Sequence, residues 1–439
     1  MTSWAEVGRK REAASRDVDV ATLAGAAEPA LSRADPTPGS ARPRSLASYL
    51  LLPRPDDAVK WGILPVGFGV GALTGGPPDP AALGRALLVW AVLELLIYPA
   101  RYQVNDMIGF DADQQHPDGD RGRLPGPAGR KRSRITSSAG AALLKLAVAA
   151  VIAVLAPDVV GQTLLLVTLA VLATAVVYEP LRTLATGRTG QVPAPASAGV
   201  VAIWIVVGAG YAVRGVTGLS LAVDLGRSWW IPVAAVVAWW AFGVGWVTSR
   251  WAVEATAYGR LRADRLIWTA TAAEAREHLL ALVRWLPAHP GPEAVSAEGD
   301  LRRWRPTSGA TPLRSPWHCA AIVCGGFAAV TGWLLVDPGL TAGHAALALA
   351  AGMTATAVVA VSSAHRPTAA GVGAALLVAL ALVLDVRQAP LTAIPWCVAT
   401  VAQVVYLRQC RASLGATSRL LRAAYRTVTR SGSRWSSAS

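Results

Sequence analysis

The sequence predicts an all-α, polytopic membrane helix bundle, and three observations carry that prediction. Over 439 residues the chain is 53% hydrophobic and only 15% charged, with a mean hydropathy of +0.40, whereas a soluble domain has about 25% charged residues. The apolar residues are gathered into runs that reach or approach the about 20 residues needed to cross about 30 Å of hydrocarbon. The Lys and Arg behind the formal charge of +14 fall almost wholly between those runs. Such a charge on a soluble protein suggests a nucleic-acid partner. Here its placement excludes one and makes the lipid bilayer the expected partner.

Ten apolar segments follow in order: 61–76, 81–104, 138–156, 159–178, 195–222, 229–249, 316–336, 340–363, 368–385 and 390–408. Some of the last four can pair as re-entrant segments, so nine or ten transmembrane helices are expected. Residues 1–56, rich in Ala, Pro, Ser and Arg, read as a disordered cytoplasmic tail without the apolar segment of a signal peptide. With that tail inside, 36 of the 41 Lys and Arg share one side, in residues 1–60, 101–137, 179–194, 250–315, 364–367 and 408–439. Basic loops are retained in the cytoplasm. Both termini are therefore expected inside, with a membrane domain at 57–410, a basic tail at 411–439, and any chemistry on the cytoplasmic face of the cell membrane. Cys319, Cys324, Cys397 and Cys410 lie within or at the ends of apolar runs, lack the paired spacing of a zinc site, and read as packing residues.

The connection 251–315 is too long for a simple loop and reads as a cytoplasmic cap. Within it a Thr271-x-x-Glu274 capping box predicts an amphipathic helix over Ala272 to Leu286. Leu279, Leu282, Val283 and Leu286 would give that helix an apolar stripe, either lying on the membrane face or covering a cavity, or an ordinary surface helix. Gly67, Gly71 and Gly75 form a small-residue face on the first span that favours close helix packing.

The second span ends in acid. If it stays helical through Asp113, at about 100° per residue, then Asn105, Asp106, Gly109 and Asp113 share a face and Asp111 points away. Glu94, Tyr98 and Arg101 fall within about 40° of Asn105 and extend this polar stripe into the membrane, toward a cavity. A charge at that depth needs a partner or water, which makes Glu94, Lys145 and Arg214 either buried ion pairs or functional groups. Two carboxylates about two turns apart can hold Mg²⁺ together with substrate phosphates. Arg121, Arg123, Arg130, Lys131 and Arg132 follow at once and could neutralise a departing diphosphate. Asp118 and Asp120 read as part of a solvated turn.

The stretch Asn105-Asp106-Met107-Ile108-Gly109-Phe110-Asp111-Ala112-Asp113, with His116-Pro117 and Arg123-Leu124-Pro125-Gly126 after it, resembles the first aspartate motif of the UbiA superfamily of intramembrane prenyltransferases. Tyr178-Glu179-Pro180-Leu181-Arg182 and Gly210-Tyr211-Ala212-Val213-Arg214-Gly215 resemble later landmarks, and the likeness covers about residues 48–260. It implies a bundle around a central cavity in which Mg²⁺ and aspartates ionise a prenyl diphosphate and the allylic cation alkylates an acceptor, here unidentified. Carried over by position, Asn105, Asp106 and Asp113 would bind Mg²⁺ and diphosphate, and with Glu254 taken for the other side, Asp106, Asp113 and Glu254 would be catalytic. Asp106, Asp113, Asp111 and Glu254 would be the metal ligands. Asn105, Arg121, Arg123, Lys131 and Arg214 would bind substrate. Trp204, Trp239 and Trp246 would line the prenyl tunnel, where an aromatic face stabilises a carbocation.

Two positions depart from the family pattern. Gly109 stands where most prenyltransferases have an aspartate, so Asp111 would serve only if the helix unwinds at the glycine. The second motif, expected at the end of the sixth span, offers Glu254 alone, with Tyr258 where a second carboxylate belongs. Glu254 is accordingly either a metal ligand or a surface ion-pair partner. The spacing Asn105, Gly109, Asp113 looks like that of the terpene cyclases in the same superfamily, which makes intramolecular cyclisation the alternative to transfer. A secondary transporter using Glu94, Arg214 and Lys145 near the midplane is the alternative from another class.

Overall fold

A computed structural model describes residues 45–114, 116, 123–126, 128–262, 265–287, 311–362 and 364–407. Arg121, Asp118, Asp120, Cys410 and the tail at 411–439 lie outside the described residues. Each of the ten apolar segments carries helix. Eight of these helices are long and apolar enough to span a bilayer, as in a multi-pass membrane protein: α3 (Pro80–Ile108), α5 (Lys131–Leu155), α6 (Asp158–Leu184), α7 (Ala198–Ala222), α8 (Trp230–Ala255), α10 (Pro316–Val336), α11 (Ala342–Val361) and α12 (Arg366–Val383).

The first segment carries a shorter helix, and the tenth is described only as far as Leu407. Helix α2 (Ile63–Gly75) has 13 residues, or about 20 Å at 1.5 Å per residue, and stops where Gly76 takes a φ of +97°, open to a residue without Cβ. Helix α13 (Ile394–Leu407) has 14. Residues 45–56, expected within the disordered tail, carry helix, and 1–44 lie outside the described residues. Helix α1 (Leu46–Leu51) is capped by the Ser45 side chain, and a 3₁₀ segment, Pro55–Gly62, leads into α2. Tyr49 on α1 is fully buried against Phe110 and Leu124, so an apolar anchor inside the polar stretch orders it.

Helices α8 and α10 form the centre: 61% and 72% of their apolar windows are buried, against 17% for α5 and 22% for α11 and α12. The glycine face of α2 packs on α7. A Cβ at Gly67 would stand 2.3 Å from the Gly215 carbonyl oxygen, and one at Gly71 2.7 Å from Ala222 Cβ.

The cap departs from the expected single amphipathic helix. After α8 and a 3₁₀ turn comes an antiparallel hairpin of β1 (Gly259–Arg262) and β2 (Arg265–Trp268). A 3₁₀ turn at Ala270–Glu274, the four-residue α9 (Glu277–Leu280) and a 3₁₀ turn at Ala281–Trp285 follow. Ala275 and Arg276 are extended and break the helix. The Arg276 guanidinium instead donates to the carbonyls of Arg182 and Thr186 at 2.9 and 3.1 Å, at the C-terminal end of α6. Leu279, Leu282 and Leu286 are buried as the stripe implied, the last two in one cluster with Trp204, Ala252 and Trp317. Apolar burial therefore survives the loss of helical regularity.

Inside α3, Pro99 offers no N–H to the carbonyl four residues back, and the helix widens into a π turn at Leu93–Ile97. Glu94 lies in that turn. Its oxygens accept from Arg214 Nε and Nη2 at 2.5 and 3.0 Å, and both side chains are buried. The Arg214 guanidinium stacks 3.2 Å from the Tyr98 ring centroid, and Tyr98 Oη donates to the Gly210 carbonyl at 2.7 Å. This pair joins α3 to α7. Glu94→Ala should cost about 3–5 kcal/mol by leaving Arg214 buried alone, while the double change Glu94→Leu/Arg214→Leu should recover most of it. Thermal unfolding in detergent reads both. A single variant as stable as the parent would contradict the pair.

Candidate functional site

The helical arithmetic holds at the end of α3. Gly109 N–H donates to the Asn105 carbonyl and Asp113 N–H to the Gly109 carbonyl, at 3.0 and 2.9 Å, so α4 (Phe110–Gln114) nearly continues the spiral. Asp106 faces inward with a fully buried carboxylate. Asp111 faces outward, where its carboxylate meets Lys131 Nζ at 2.6 Å. The helix does not unwind at Gly109, and Asp111 and Lys131 pair with each other outside the Asp106 cluster.

Asp106 is the hub. Its Oδ1 accepts from Arg54 Nε at 3.1 Å, from Arg54 Nη2 and from Arg123 Nη1 at 3.2 Å, while Oδ2 accepts from Tyr49 Oη at 3.2 Å. Arg54 Nη2 also donates to Asn105 Oδ1, and Asn105 Nδ2 donates to Glu179 Oε1 at 2.6 Å. Glu179 in turn pairs with Arg182 Nη2 at 2.8 Å. Asp113 lies 3.9 Å from Arg123 Nε. A Cβ at Gly109 would stand 3.3 Å from Asp113 Oδ2 and 3.7 Å from Arg182 Nη1. Position 109 thus opens on both an acid and a guanidinium. The side chains of Arg54, Arg123, Asp113, Glu179 and Arg182 keep 14–22% exposure around the fully buried Asp106 carboxylate.

The 3₁₀ segment adds Asp57 and Lys60, 2.8 Å apart. Burial disfavours the Asp57 carboxylate, but Lys60 and Arg54 outweigh it and hold Asp57 below the usual carboxylate range. Burial, only partly offset by Asp57, pushes Lys60 down to about 8. Burial alone would lower Arg54, yet Asp106 and Asp57 hold it above its ordinary value. Arg54 and Lys60 lie over the Tyr102 ring, 4.9 and 5.5 Å from its centroid.

Below this cluster is an apolar cavity of about 280 Å³, lined among others by Val59, Gly62, Ile63, Trp239, Phe242 and Trp246. Val59 and Gly62 belong to the segment that carries Asp57 and Lys60, so that segment adjoins both the charged cluster and the cavity. Val66 and Val405 line it while exposed on the outer apolar surface. Of the three tryptophans expected along a tunnel, Trp239 and Trp246 line it. Trp204 belongs to the cap, where its Nε1 donates to the His278 carbonyl at 2.9 Å.

Glu254 approaches from α8 with its carboxylate 3.8 Å from His116 Nε2, and Tyr258 packs edge-on against the His116 ring. Arg214, expected to bind substrate, is engaged bidentately by Glu94. Lys145 donates to the Leu50 carbonyl and Gln103 Oε1 at 2.5 and 2.9 Å. Among the described residues, no three His, Cys, Asp or Glu side chains are grouped so as to hold a metal ion. The sequence reading missed Arg54, Tyr49, Lys60 and Glu179. The short apolar run Tyr49-Leu50-Leu51-Leu52 before Arg54 is the signal that could have found the first two.

Compared with protein-family models, curated proteins and solved structures, the chain matches none.

His278 ties the cap to the site. Its ring lies edge-on to Trp251 at 4.6 Å and its Nδ1 is 3.4 Å from Thr186 Oγ1. Burial pushes its pKa down to about 3, with Arg182 and Arg276 opposing protonation and Glu254 favouring it. A folded value below the ordinary one means that stability is full above about 6.5 and is lost as pH falls toward 3. Hydrogen exchange across 277–285, corrected for intrinsic rate, should speed up between about pH 7.5 and about pH 5, and His278→Gln should abolish the change. Equal protection at both pH values would contradict this.

Proposed function

We propose that the chain is a multi-pass UbiA-type prenyltransferase that ionises a polyprenyl diphosphate and transfers the prenyl group to an acceptor. One observation carries the reading: guanidinium groups organised by buried Asp106 lie next to the 3₁₀ segment whose Val59 and Gly62 line an apolar cavity with two tryptophans and Phe242. An isoprenoid diphosphate has that same division, an anionic head on a branched apolar tail. In the sequence 36 of the 41 Lys and Arg fall in the tails and connections on the Asp106 side of the spans, and under the positive-inside rule this supports a cytoplasmic site.

In the reaction the allylic C–O bond breaks and both electrons leave with the diphosphate oxygen. The guanidinium groups take up the charge that develops there, while Trp239 and Trp246 face the carbocation. The cation is captured by the acceptor, which loses a proton.

Mg²⁺ is the cofactor that the family resemblance implies. Asn105, Asp106 and Asp113 present oxygen donors, the ligands Mg²⁺ takes. Yet Asp106 Oδ1 and Asn105 Oδ1 both accept from Arg54, Asp111 is bound by Lys131, and Glu254 meets His116. These residues do not fit a carboxylate-held Mg²⁺.

A second reading, terpene cyclisation, is favoured by Gly109 and by the cavity lining, where Thr331 and Cys324 are the polar residues and a polar acceptor finds little to hold it. Membranes containing the protein should be incubated with geranyl, farnesyl, geranylgeranyl and geranylfarnesyl diphosphates, with and without candidate acceptors, and the products identified by mass spectrometry. An adduct indicates transfer, and a hydrocarbon or terpene alcohol formed alone indicates cyclisation. Asp106→Ala should lower diphosphate release by about a hundredfold or more. Turnover that survives Asp106→Ala, or no product from any diphosphate, would contradict the proposal.

A further inference from the structure

We infer that this chain holds the diphosphate head with fixed guanidinium groups, Arg54 and Arg123, in the position where carboxylate-held Mg²⁺ would otherwise stand, so that substrate binding is independent of divalent metal. The inference rests on the diphosphate reading above and deepens it.

A bridging metal needs oxygen atoms on the protein that are turned toward the substrate and not already neutralised. The acids at the end of α3 do not meet that condition. The buried Asp106 carboxylate takes three guanidinium contacts on one oxygen and the Tyr49 hydroxyl on the other. Arg54 Nη2 lies between Asn105 Oδ1 and Asp106 Oδ1, the gap in which a cation bound by this Asn-Asp pair would sit. Asn105 is fixed from its other side by Glu179.

The sequence departures agree with this geometry. At position 109, where an added carboxylate would lie beside Asp113, glycine leaves the space open toward Arg182 Nη1. At 258, Tyr258 packs on His116 and supplies no carboxylate. Both departures remove acid from the site while the guanidinium groups remain. Arginine presents planar, fixed donors that match phosphate oxygens bidentately and keeps its charge at any working pH. Arg54 is aimed by Asp106 and Asn105 and backed by the Tyr102 ring. Arg123 is aimed by Asp106 and Asp113. The acids in this arrangement orient cations and bear no metal.

The test uses the full chain in nanodiscs of phosphatidylcholine and phosphatidylglycerol, with geranylgeranyl thiodiphosphate, whose sulfur bridge resists cleavage, as the probe. Binding is measured in excess EDTA and again in excess MgCl₂. The inference predicts the same affinity in both, and a loss of about tenfold or more in Arg123→Gln and in the charge-balanced double variant Arg54→Gln/Asp106→Asn. Thermal unfolding confirms that each variant is folded, and if either is not, the metal comparison on the parent chain decides alone. Binding that requires Mg²⁺, or variants that bind as the parent does, would overturn the inference and leave the proposed function standing. No binding in either buffer would overturn the proposed function itself.

Discussion

A fully buried carboxylate cannot stay ionised in a membrane protein without partners, and that constraint organises the charged end of this molecule. Asp106 meets it by drawing in Arg54 from the segment between α1 and α2 and Arg123 from the connection between α4 and α5. Three stretches distant in sequence are thereby tied at one point. Tyr49 closes the last side of the carboxylate, which explains why a short helix is ordered ahead of the bundle. The desolvation cost of such a group is several kcal/mol per ion unless the geometry satisfies its lone pairs. Here four donated hydrogen bonds do so, and the same bonds fix two partly exposed guanidinium groups.

The Glu94–Arg214 pair solves the same problem deeper in the bundle, where the partners are each other and Tyr98. The two solutions differ in consequence. Glu94 and Arg214 satisfy one another completely and turn inward, as structural pairs do. Arg54 and Arg123 keep partial exposure and have donors in excess of what Asp106 accepts, so they can reach a second anion. The cap, latched to the end of α6 by Arg276 and packed around Trp204 and Trp317, covers neighbouring ground.

Much of the fold was legible because hydrocarbon imposes a length and a composition that a run of Ala, Val and Leu displays directly. The shared face of Asn105, Asp106, Gly109 and Asp113 was legible because the spiral persists through Gly109. The costly charges at positions 94 and 214 announced that they needed partners. Arg54 was not legible as a site residue: its pairing spans 52 positions, leaves no periodic trace, and sits in a stretch whose polarity resembles a tail. Glu179 joins Asn105 across 74 positions and was equally silent as a site group. The cap misled through Thr271 and Glu274, a genuine capping pattern overridden when Arg276 extends to reach the carbonyls that end α6.

The central claim is that one molecule spans the charged cluster and the cavity, head among the guanidinium groups and tail among the tryptophans. An electron cryomicroscopy structure of the full chain in nanodiscs with geranylgeranyl thiodiphosphate tests it most directly. The account predicts phosphate density within hydrogen-bond reach of Arg54 and Arg123 and a tail running past Gly62 toward Trp239 and Trp246. Ligand density elsewhere in the bundle, with Arg54 and Arg123 still closed on Asp106 and an empty cavity between α2 and α13, would contradict it.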